Sequence, residues 1–298
     1  MPIPLSQLET WSHQGAITTS SNAYAAIQKA LGASSANVQV RGADIFLQGS
    51  YANSTNIYAD SDIDVVVLYE NTFHHDLSAL SPLDQVRHDQ AFPAAIYQWS
   101  DLHSDVLDAL RAHFGSRAVT PGTKAIKVET GHGRMTADVV PAVQFRRYET
   151  FSSRDDLTAH WGIQFFDASG TPVVNYPRYH RERGEEKNQA ARTAGLYKRT
   201  VRVFKNLRNY LYERGMLADG SAPSYFIECM LHNVPDVLFV DDLDVSTPNI
   251  LRHLSTVLPA TLRCQNGMMP LIGTGNTQWS EHSFRAFVSA AISAWNSW

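Results

Sequence analysis

The stretch Asp62 to Leu68, Asp-Ile-Asp-Val-Val-Val-Leu, constrains the fold of this chain more than any other segment. Its run of β-branched and apolar residues is short and typical of a buried strand. Because side chains alternate along a strand, Asp62 and Asp64 are predicted on one face and the intervening isoleucine on the other. Two carboxylates so close repel each other unless a cation lies between them. The sequence therefore predicts a buried strand that begins at a cation site.

A Gly-Ser pair precedes this strand. The run Ala43 to Gln48 predicts another strand, which ends beside Gly49 and Ser50. Glycine has no Cβ, so a triphosphate can approach its backbone closely, and Ser50 adds a hydroxyl donor. Taken singly, the Gly-Ser pair is also typical of a turn, and Asp-x-Asp of a solvated strand edge. Together they predict a site for phosphoryl transfer with two Mg²⁺ ions about 3.5 to 4 Å apart.

The motif Gly49-Ser50 followed by Ser61-Asp62-Ile63-Asp64 resembles the signature of the DNA-polymerase-β-type nucleotidyltransferases. Within that superfamily the chain is similar to the bacterial cyclic-oligonucleotide synthases, which are related to cyclic GMP-AMP synthase and oligoadenylate synthase and act in antiphage signalling. The resemblance runs from about Phe46 to the C-terminus. It implies a mixed α+β fold, in which a polymerase-β-like nucleotidyltransferase core with a mixed sheet packs on a C-terminal helical lobe.

The resemblance also implies a third carboxylate on a later strand. The segment Arg134 to Ala142 contains Asp138, which alternation puts on one face with Thr136 and Val140. If this strand lies beside the one that carries Asp64, Asp138 completes a set of three carboxylates. Three are sufficient for two Mg²⁺ ions bridged by substrate phosphates, and Mn²⁺ is an alternative ion. A polar position on an edge strand is the other interpretation.

A basic amphipathic helix is predicted from Ala194 to Glu213. One stripe of this helix contains Lys198, Arg202, Lys205 and Asn209, and the opposite face contains Val203, Phe204, Leu207 and Leu211. A cationic stripe is often a solvated helix face. The resemblance instead assigns Lys205 to the family lysine that binds the donor triphosphate, with Arg202 and Lys198 as helpers.

A short helix is predicted within Ala222 to Pro235, because prolines bracket the segment. The family carries a similar serine and aromatic residue at the start of this helix. By that match Ser224 binds a donor phosphate and Tyr225 stacks on a nucleobase, and Gln48 joins Gly49 in the nucleotide-binding set. An N-cap serine and a core tyrosine are the alternative.

Composition argues against a membrane protein and against a duplex-DNA sensor. The chain has 298 residues, of which 44% are hydrophobic, so it can bury a full core. No apolar run approaches the roughly 18 residues of a membrane span, and no secretion signal begins the chain, so the cytoplasm is predicted. Animal cyclic GMP-AMP synthase senses DNA with a zinc-bearing insertion, but only Cys229 and Cys264 are present here. With a net charge of -4, no duplex-DNA requirement is expected.

The remaining segments give weaker signals. Helices are expected at Ser20 to Leu31, over most of Asp84 to Phe114, and at Trp279 to Trp298, and two short strands around a turn within Trp161 to Tyr179. The run His74-His75-Asp76 could suggest a metal site, but adjacent histidines project in different directions and no second ligand group stands at helical spacing. This run is therefore interpreted as a loop. The mixed-charge segment 178–192 is interpreted as a connector, with a role in holding an acceptor nucleotide as the alternative, and Gly273-Thr274-Gly275 as a surface turn.

The chain is predicted to divide near residues 150–185. Residues 1–160 form the nucleotidyltransferase core with an N-terminal spine helix, and residues 161–298 form a mainly helical lobe that closes an active-site cleft. The resulting hypothesis is a monomeric Mg²⁺-dependent enzyme that joins ribonucleoside triphosphates, ATP and GTP foremost, into a cyclic di- or trinucleotide read by an effector protein. The alternatives are transfer to an RNA 3′ end, a small molecule or a protein, and a nucleotide-binding sensor without catalysis.

Overall fold

The computed structural model describes residues 1–15, 17–58, 62–131, 135–275 and 277–298. Ser61 and Arg134, which belong to the motifs quoted above, lie outside these ranges. The chain forms two compact units. Unit 1 contains residues 1–16, 49–60 and 178–298, and unit 2 contains residues 17–48 and 61–177. Within the described ranges, every helix is too short or too polar to span a lipid bilayer.

Unit 2 is built on a mixed sheet. Its strands are β1 (Asp44–Gln48), β2 (Asp62–Asp76), β3 (Val119–Pro121), β4 (Ile126–Glu129), β5 (Thr136–Ser153), β6 (Asp156–Phe166) and β7 (Pro172–Asn175). The strand order is β1-β2-β5-β4-β3, and β6 pairs with both β5 and β7. Strand β2 runs parallel to β5, while the other pairs between these strands are antiparallel. The parallel pair explains the continuous apolar run after Asp64, because a strand in the middle of a covered sheet is buried on both faces.

The sequence supplies side-chain caps for some of the helices of unit 2. They are α2 (Thr18–Leu31), α3 (Val38–Arg41), α5 (Pro82–Ala91) and α6 (Trp99–Phe114). Ser81 caps α5 through its hydroxyl, which accepts a hydrogen bond from Asp84 N, and Pro82 occupies the first turn. Trp99 of α6 donates its indole N–H to the carbonyl of Pro141 on β5 at 2.8 Å, which fixes this helix to the sheet.

Unit 1 is helical. Its helices are α1 (Leu5–Ser12), the single turn α4 (Gly49–Ala52), α7 (Pro177–Asn188), α8 (Leu196–Glu213), α9 (Ser224–His232), α10 (Leu243–Thr256) and α11 (Glu281–Asn296). The core of the unit collects the apolar face of α8, including Phe204 and Leu207, with Ile227 of α9 and Phe287 of α11. Burying these side chains supplies most of the stabilisation that a helical unit needs, because helix propensity alone is weak.

The α+β fold predicted from the sequence is confirmed, and so is each of the predicted helices and strands named above. One local interpretation is wrong. His74, His75 and Asp76 do not form a loop, because β2 continues through them, paired with β5. Segment 178–192 is mostly helix α7, which lines a cavity of about 440 Å³, and its role as a connector or in holding an acceptor nucleotide stays a prediction.

Two further ligand groups lie near His75 in space, although none stands at helical spacing from it in the sequence. The ligand atoms of His75, His88 and Asp89 lie within 4.8 Å of one another, because α5 packs against the sheet. His88 is buried and meets the rings of several aromatic residues at centroid distances of 4.8 to 6.3 Å, namely Phe73, Phe92, Tyr148 and Phe151. Sequence spacing could not reveal this cluster, since its members come from two elements.

Candidate active site

Three carboxylates meet where the parallel strands β2 and β5 begin. Asp64 on β2 pairs directly with Asp138 on β5, and Asp62 pairs with Thr136. Neighbouring strands lie about 4.7 to 4.9 Å apart, so paired side chains on one face are close neighbours. Ile63 is fully buried on the opposite face, as the alternation predicts. The predicted adjacency of the strands that carry Asp64 and Asp138 is confirmed.

Burial and neighbouring charges act on two of these carboxylates, those of Asp62 and Asp138. Burial, and after it the negative charge of Asp62, raises the pKa of Asp138, while the charge of Lys127 opposes the rise. Lys127 lies on β4 directly opposite Asp138, and its Nζ is 3.6 Å from Asp62 Oδ2. The Lys127 side chain is half exposed, so this ion pair is screened by solvent. Lys127 therefore partly neutralises Asp62 and Asp138.

The donor set fits a divalent cation. Carboxylate oxygens are the ligands that hard divalent cations prefer, and a raised pKa at Asp138 means that added positive charge is favourable at this point. Two of the three carboxylates belong to Asp64 and Asp138, which pair directly across the two strands, so the backbone of each is already positioned. The chain therefore carries an oxygen-rich site suited to a divalent metal ion at Asp62, Asp64 and Asp138.

The Gly-Ser pair forms a tight turn directly after β1. Gln48, the last residue of β1, pairs with Asp64, and its Oε1 is buried and accepts no hydrogen bond from any described residue. Gly49 has φ of +68°, a left-handed conformation that a side chain disfavours. Asn53 N donates to the carbonyl of Gly49 at 3.1 Å, and Thr55 N donates to that of Ser50 at 2.9 Å. These two bonds hold the turn closed.

Helix α8 buries the two lysines of its predicted cationic stripe. Lys205 has no exposed surface and donates to the carbonyl of Thr55 at 3.0 Å. Arg202 donates to the carbonyls of Ser12 at 2.6 Å and Ser54 at 2.8 Å. Lys198 is 7% exposed and forms an ion pair with Glu185 of α7. A solvated helix face is therefore the wrong interpretation of Lys198 and Lys205.

The structure of α9 rejects one alternative for its first residues. Pro223 occupies the N-cap position, so Ser224 does not act as the cap. The Ser224 hydroxyl instead accepts a hydrogen bond from Arg208 Nη1 at 3.0 Å. Tyr225 is partly buried, its hydroxyl accepts from Asn266 Nδ2 at 3.2 Å, and its ring stacks on His180 with centroids 5.0 Å apart. Burial raises the pKa of Tyr225, so the phenol is protonated at neutral pH.

Sequence reasoning missed several residues that contact the predicted set, namely Asn53, Thr55, Lys127, His180 and Glu228. Glu228 carried a readable signal, because it is a charged residue within the apolar run Tyr-Phe-Ile-Glu-Cys-Met-Leu. The other four gave none, since their importance comes from contacts with elements distant in sequence.

Two protein-family models match this chain and define its class. A family model described as the nucleotidyltransferase domain matches residues 27–117, which include Gly49, Ser50, Asp62 and Asp64. Together with the carboxylate set on a mixed sheet, this match makes the chain a nucleotidyltransferase. A second family model, described as the C-terminal helical domain of cGAS/DncV-like nucleotidyltransferases, matches residues 182–296.

Relatives extend the match over the whole chain. A cyclic UMP-AMP synthase from Rhodothermus marinus is 42% identical over 100% of this chain and 99% of its own length. A cyclic nucleotide synthase, CdnE01, from Staphylococcus haemolyticus is 36% identical over 100% of both chains. The chain therefore belongs to the cGAS/DncV-like nucleotidyltransferases, a family of enzymes, as the resemblance of its motifs predicted.

A solved structure agrees with this assignment. The Rhodothermus marinus c-UMP-AMP synthase, determined with Apcpp and Upnpp, superposes with a TM-score of 0.89 at 41% identity. The match covers 100% of this chain and 98% of that one. Both the fold and the family are thus supported along the full length of the sequence.

Proposed function

We propose that this enzyme condenses two ribonucleoside triphosphates into a cyclic dinucleotide that acts as a messenger in bacterial antiphage signalling. The observation that carries the proposal is the strand pairing of Asp64 with Asp138, beside Asp62. This arrangement provides the oxygen ligands that phosphoryl transfer requires, and the whole-length similarity to cyclic nucleotide synthases supports the same reaction. The division at residue 160 stays a prediction, as does the monomeric state.

The reaction consists of two equivalent transfers. A ribose hydroxyl of one nucleotide attacks the α-phosphorus of the other, so a P–O bond forms, the bond to pyrophosphate breaks, and the hydroxyl proton passes to solvent. The free hydroxyl of the linear product then attacks its own remaining triphosphate and closes the ring with release of a second pyrophosphate. The products are one cyclic dinucleotide and two pyrophosphates.

Asp62, Asp64 and Asp138 hold the cation in this proposal, with two Mg²⁺ ions as the favoured form and Mn²⁺ as the alternative. When bound, these ions neutralise charge on the phosphate oxygens and favour loss of the hydroxyl proton. The side chains contribute by fixing that charge on a rigid sheet rather than on a loop, which limits reorganisation during the reaction.

In this proposal the donor nucleotide is bound by the residues that the sequence resemblance assigns to it. Gly49 and Ser50 offer backbone and hydroxyl donors to its phosphates, and the buried Oε1 of Gln48 offers an acceptor to an N–H or O–H of the nucleotide. Lys205 and Ser224 bind phosphate oxygens, and Tyr225 stacks on the base. Lys205, Arg202 and Lys198 all bind protein groups in this structure, so their direct role in nucleotide binding stays a prediction.

ATP is the first substrate in this proposal. The sequence-based hypothesis names ATP and GTP, whereas the name of the Rhodothermus marinus relative pairs uridine and adenosine monophosphates. Adenine is common to both, and the second nucleotide is either UTP or GTP. We propose that the enzyme works in the cytoplasm, where its substrates are made.

The test is a product assay without any added acceptor. Purified enzyme is incubated with the four ribonucleoside triphosphates and Mg²⁺, and products are identified by mass spectrometry. A cyclic dinucleotide that contains adenine is expected. If product forms only when RNA, a small molecule or a protein is added, the enzyme transfers to that acceptor instead, and nucleotide binding without turnover supports a sensor.

The site assignment is tested in the same assay with the Asp62→Asn, Asp64→Asn double variant. We expect its rate to fall about a thousandfold or more, because the charges that stabilise the transition state are lost. The matched control is the Asp155→Asn, Asp156→Asn double variant, which changes two exposed carboxylates of the same unit. A double variant at Asp62 and Asp64 with the wild-type rate would show that the site is elsewhere.

A further inference from the structure

Glu228 is a carboxylate buried in the middle of α9. It is 3% exposed, and its neighbours Ile227 and Cys229 are fully buried. Burying an ionised carboxylate is costly unless hydrogen bonds and opposite charges compensate it. The groups that hydrogen-bond to Glu228 therefore indicate what it does.

Three hydrogen-bond donors converge on this carboxylate. Thr55 Oγ1 donates to Oε1 at 2.5 Å, and Asn53 Nδ2 donates to Oε2 at 3.0 Å. His180 Nε2 lies 2.9 Å from Oε2 and donates a third bond. Burial raises the pKa of Glu228, but the His180 bond, the charge of Lys205 and the Thr55 bond outweigh it, so the pKa lies below its ordinary value. The group is therefore ionised in the folded protein.

Asn53 and Thr55 are also the residues that close the Gly49–Ser50 turn. Their backbone N–H groups donate to the carbonyls of Gly49 and Ser50, while their side chains donate to Glu228. The carbonyl of Thr55 accepts the hydrogen bond from Lys205 Nζ. One carboxylate thus orients the turn and the lysine that are assigned to the phosphates.

The third donor connects Glu228 to the base-stacking tyrosine. The His180 ring stacks on Tyr225 at an interplanar angle of 24°. Gln265 Nε2 holds the His180 carbonyl at 2.6 Å, and Tyr197 Oη donates to the Glu228 carbonyl at 2.9 Å. The imidazole is therefore fixed between the carboxylate and the Tyr225 ring.

We propose that Glu228 is a positioning residue for the donor nucleotide. Its carboxylate sets the geometry of the Gly49–Ser50 turn, Lys205 and Tyr225 together. The inference rests on the proposed function, because those residues bind the donor only if the enzyme uses nucleoside triphosphates. Replacing Glu228 should therefore weaken nucleotide binding in a protein that is still folded, which a loss of stability alone would not do. Glu228 itself touches no substrate.

The test compares Glu228→Gln with Asp236→Asn. Glutamine keeps the volume of Glu228 but replaces one acceptor oxygen with a donor group, which conflicts with the donors that meet there. Asp236 is an ion-paired carboxylate of the same unit, held by Lys187 Nζ at 2.8 Å and by Arg192, and it contacts none of the predicted nucleotide-binding residues through these pairs. Both variants lose a carboxylate, but only the Glu228 carboxylate is hydrogen-bonded to Asn53 and Thr55, the residues that close the turn.

Two quantities are measured, the KM for ATP and the dissociation constant of a nonhydrolysable ATP analogue with Mg²⁺. We expect Glu228→Gln to raise both by tenfold or more and to lower kcat by less than threefold. Asp236→Asn should leave both within twofold of wild type while lowering the thermal midpoint. A folded Glu228→Gln protein with binding within twofold of wild type would overturn the proposal.

Glu228→Asp keeps the inference testable if the glutamine variant does not fold. Aspartate retains the charge but is one methylene shorter, so we expect a folded protein with binding weakened at least threefold, and wild-type binding would count against the proposal. The binding measurement also separates this inference from the proposed reaction. A wild-type protein that binds the analogue but forms no cyclic product would contradict the reaction, while the Glu228 effect on binding stays measurable.

Discussion

Lys127 brings a positive charge to the carboxylate set. It faces Asp138 across the strand pair and lies 3.6 Å from Asp62, so it acts as a built-in counter-ion that a divalent cation must share or displace. The lysine was not predicted, because its strand is only four residues long and gives a weak sequence signal. Because the side chain is half exposed, its ammonium group can move into solvent when the cation binds.

Replacing this lysine tests the electrostatic account of the site. We expect Lys127→Met to lower the Mg²⁺ concentration for half-maximal activity about twofold to fivefold, since a partly exposed ion pair is worth about 0.2 to 1 kcal/mol. Lys124→Met, at an exposed position just before the same strand, should change it less than 1.5-fold. Titration of activity with Mg²⁺ gives both values, and an unchanged or higher requirement in Lys127→Met would contradict the account.

Helix α8 carries the core of unit 1 on one face and buried cations on the other. Its periodicity predicted the helix to within two residues of Leu196–Glu213, because a long amphipathic pattern is a strong signal. The burial of Lys198 and Lys205 could not be predicted in the same way. Their partners, Glu185 and Thr55, belong to other elements, and a pattern within one helix contains no information about them.

The apolar face of α8 gives a prediction about stability. Phe204→Ala should lower the free energy of unfolding by about 3 to 5 kcal/mol, because the phenylalanine is fully buried and its loss leaves a cavity. Glu213→Ala, at the exposed end of the same helix, should change it by less than about 0.5 kcal/mol. Urea unfolding followed by circular dichroism measures both, and equal losses would mean that this face is not the core.

At the scale of the molecule, the sequence predicted the fold class and the three carboxylates. The motif Asp62-Ile63-Asp64 is local, and its strand has a clear period, so both were readable without a structure. The composition of unit 1 was not readable. This unit collects residues 1–16, 49–60 and 178–298, and no composition change or linker marks those boundaries.

The pH dependence of stability can also be predicted for the molecule. Burial, and then the charge of Lys187, lowers the pKa of His232 to about 4, against 6.5 for an ordinary histidine. Between these values the unfolded chain binds a proton that the folded protein does not, so stability falls as the pH drops from about 6.5 towards 4. This group should lower the free energy of unfolding by about 2 kcal/mol between pH 7 and pH 5.

His232→Gln should remove that difference, because glutamine does not titrate. Urea unfolding at pH 7 and pH 5 measures the change within each protein, which separates titration from any general loss of stability. His282→Gln, at an exposed histidine of the same unit, should retain the wild-type difference. The same loss in His232→Gln as in wild type would mean that His232 is not the titrating group.

The bonds from Glu228 to Asn53 and Thr55 also bear on how the protein is synthesised. Asn53 and Thr55 lie 175 and 173 residues before Glu228 in the chain. The nascent segment that contains the Gly-Ser turn therefore leaves the ribosome long before helix α9, which orders it. At about 5 to 20 residues per second, the delay is roughly 10 to 35 s. A partly translated chain therefore has the strand carrying Asp62 and Asp64 but lacks an ordered turn. The hydrogen bonds from Glu228 to Asn53 and Thr55 can form only after α9 has emerged.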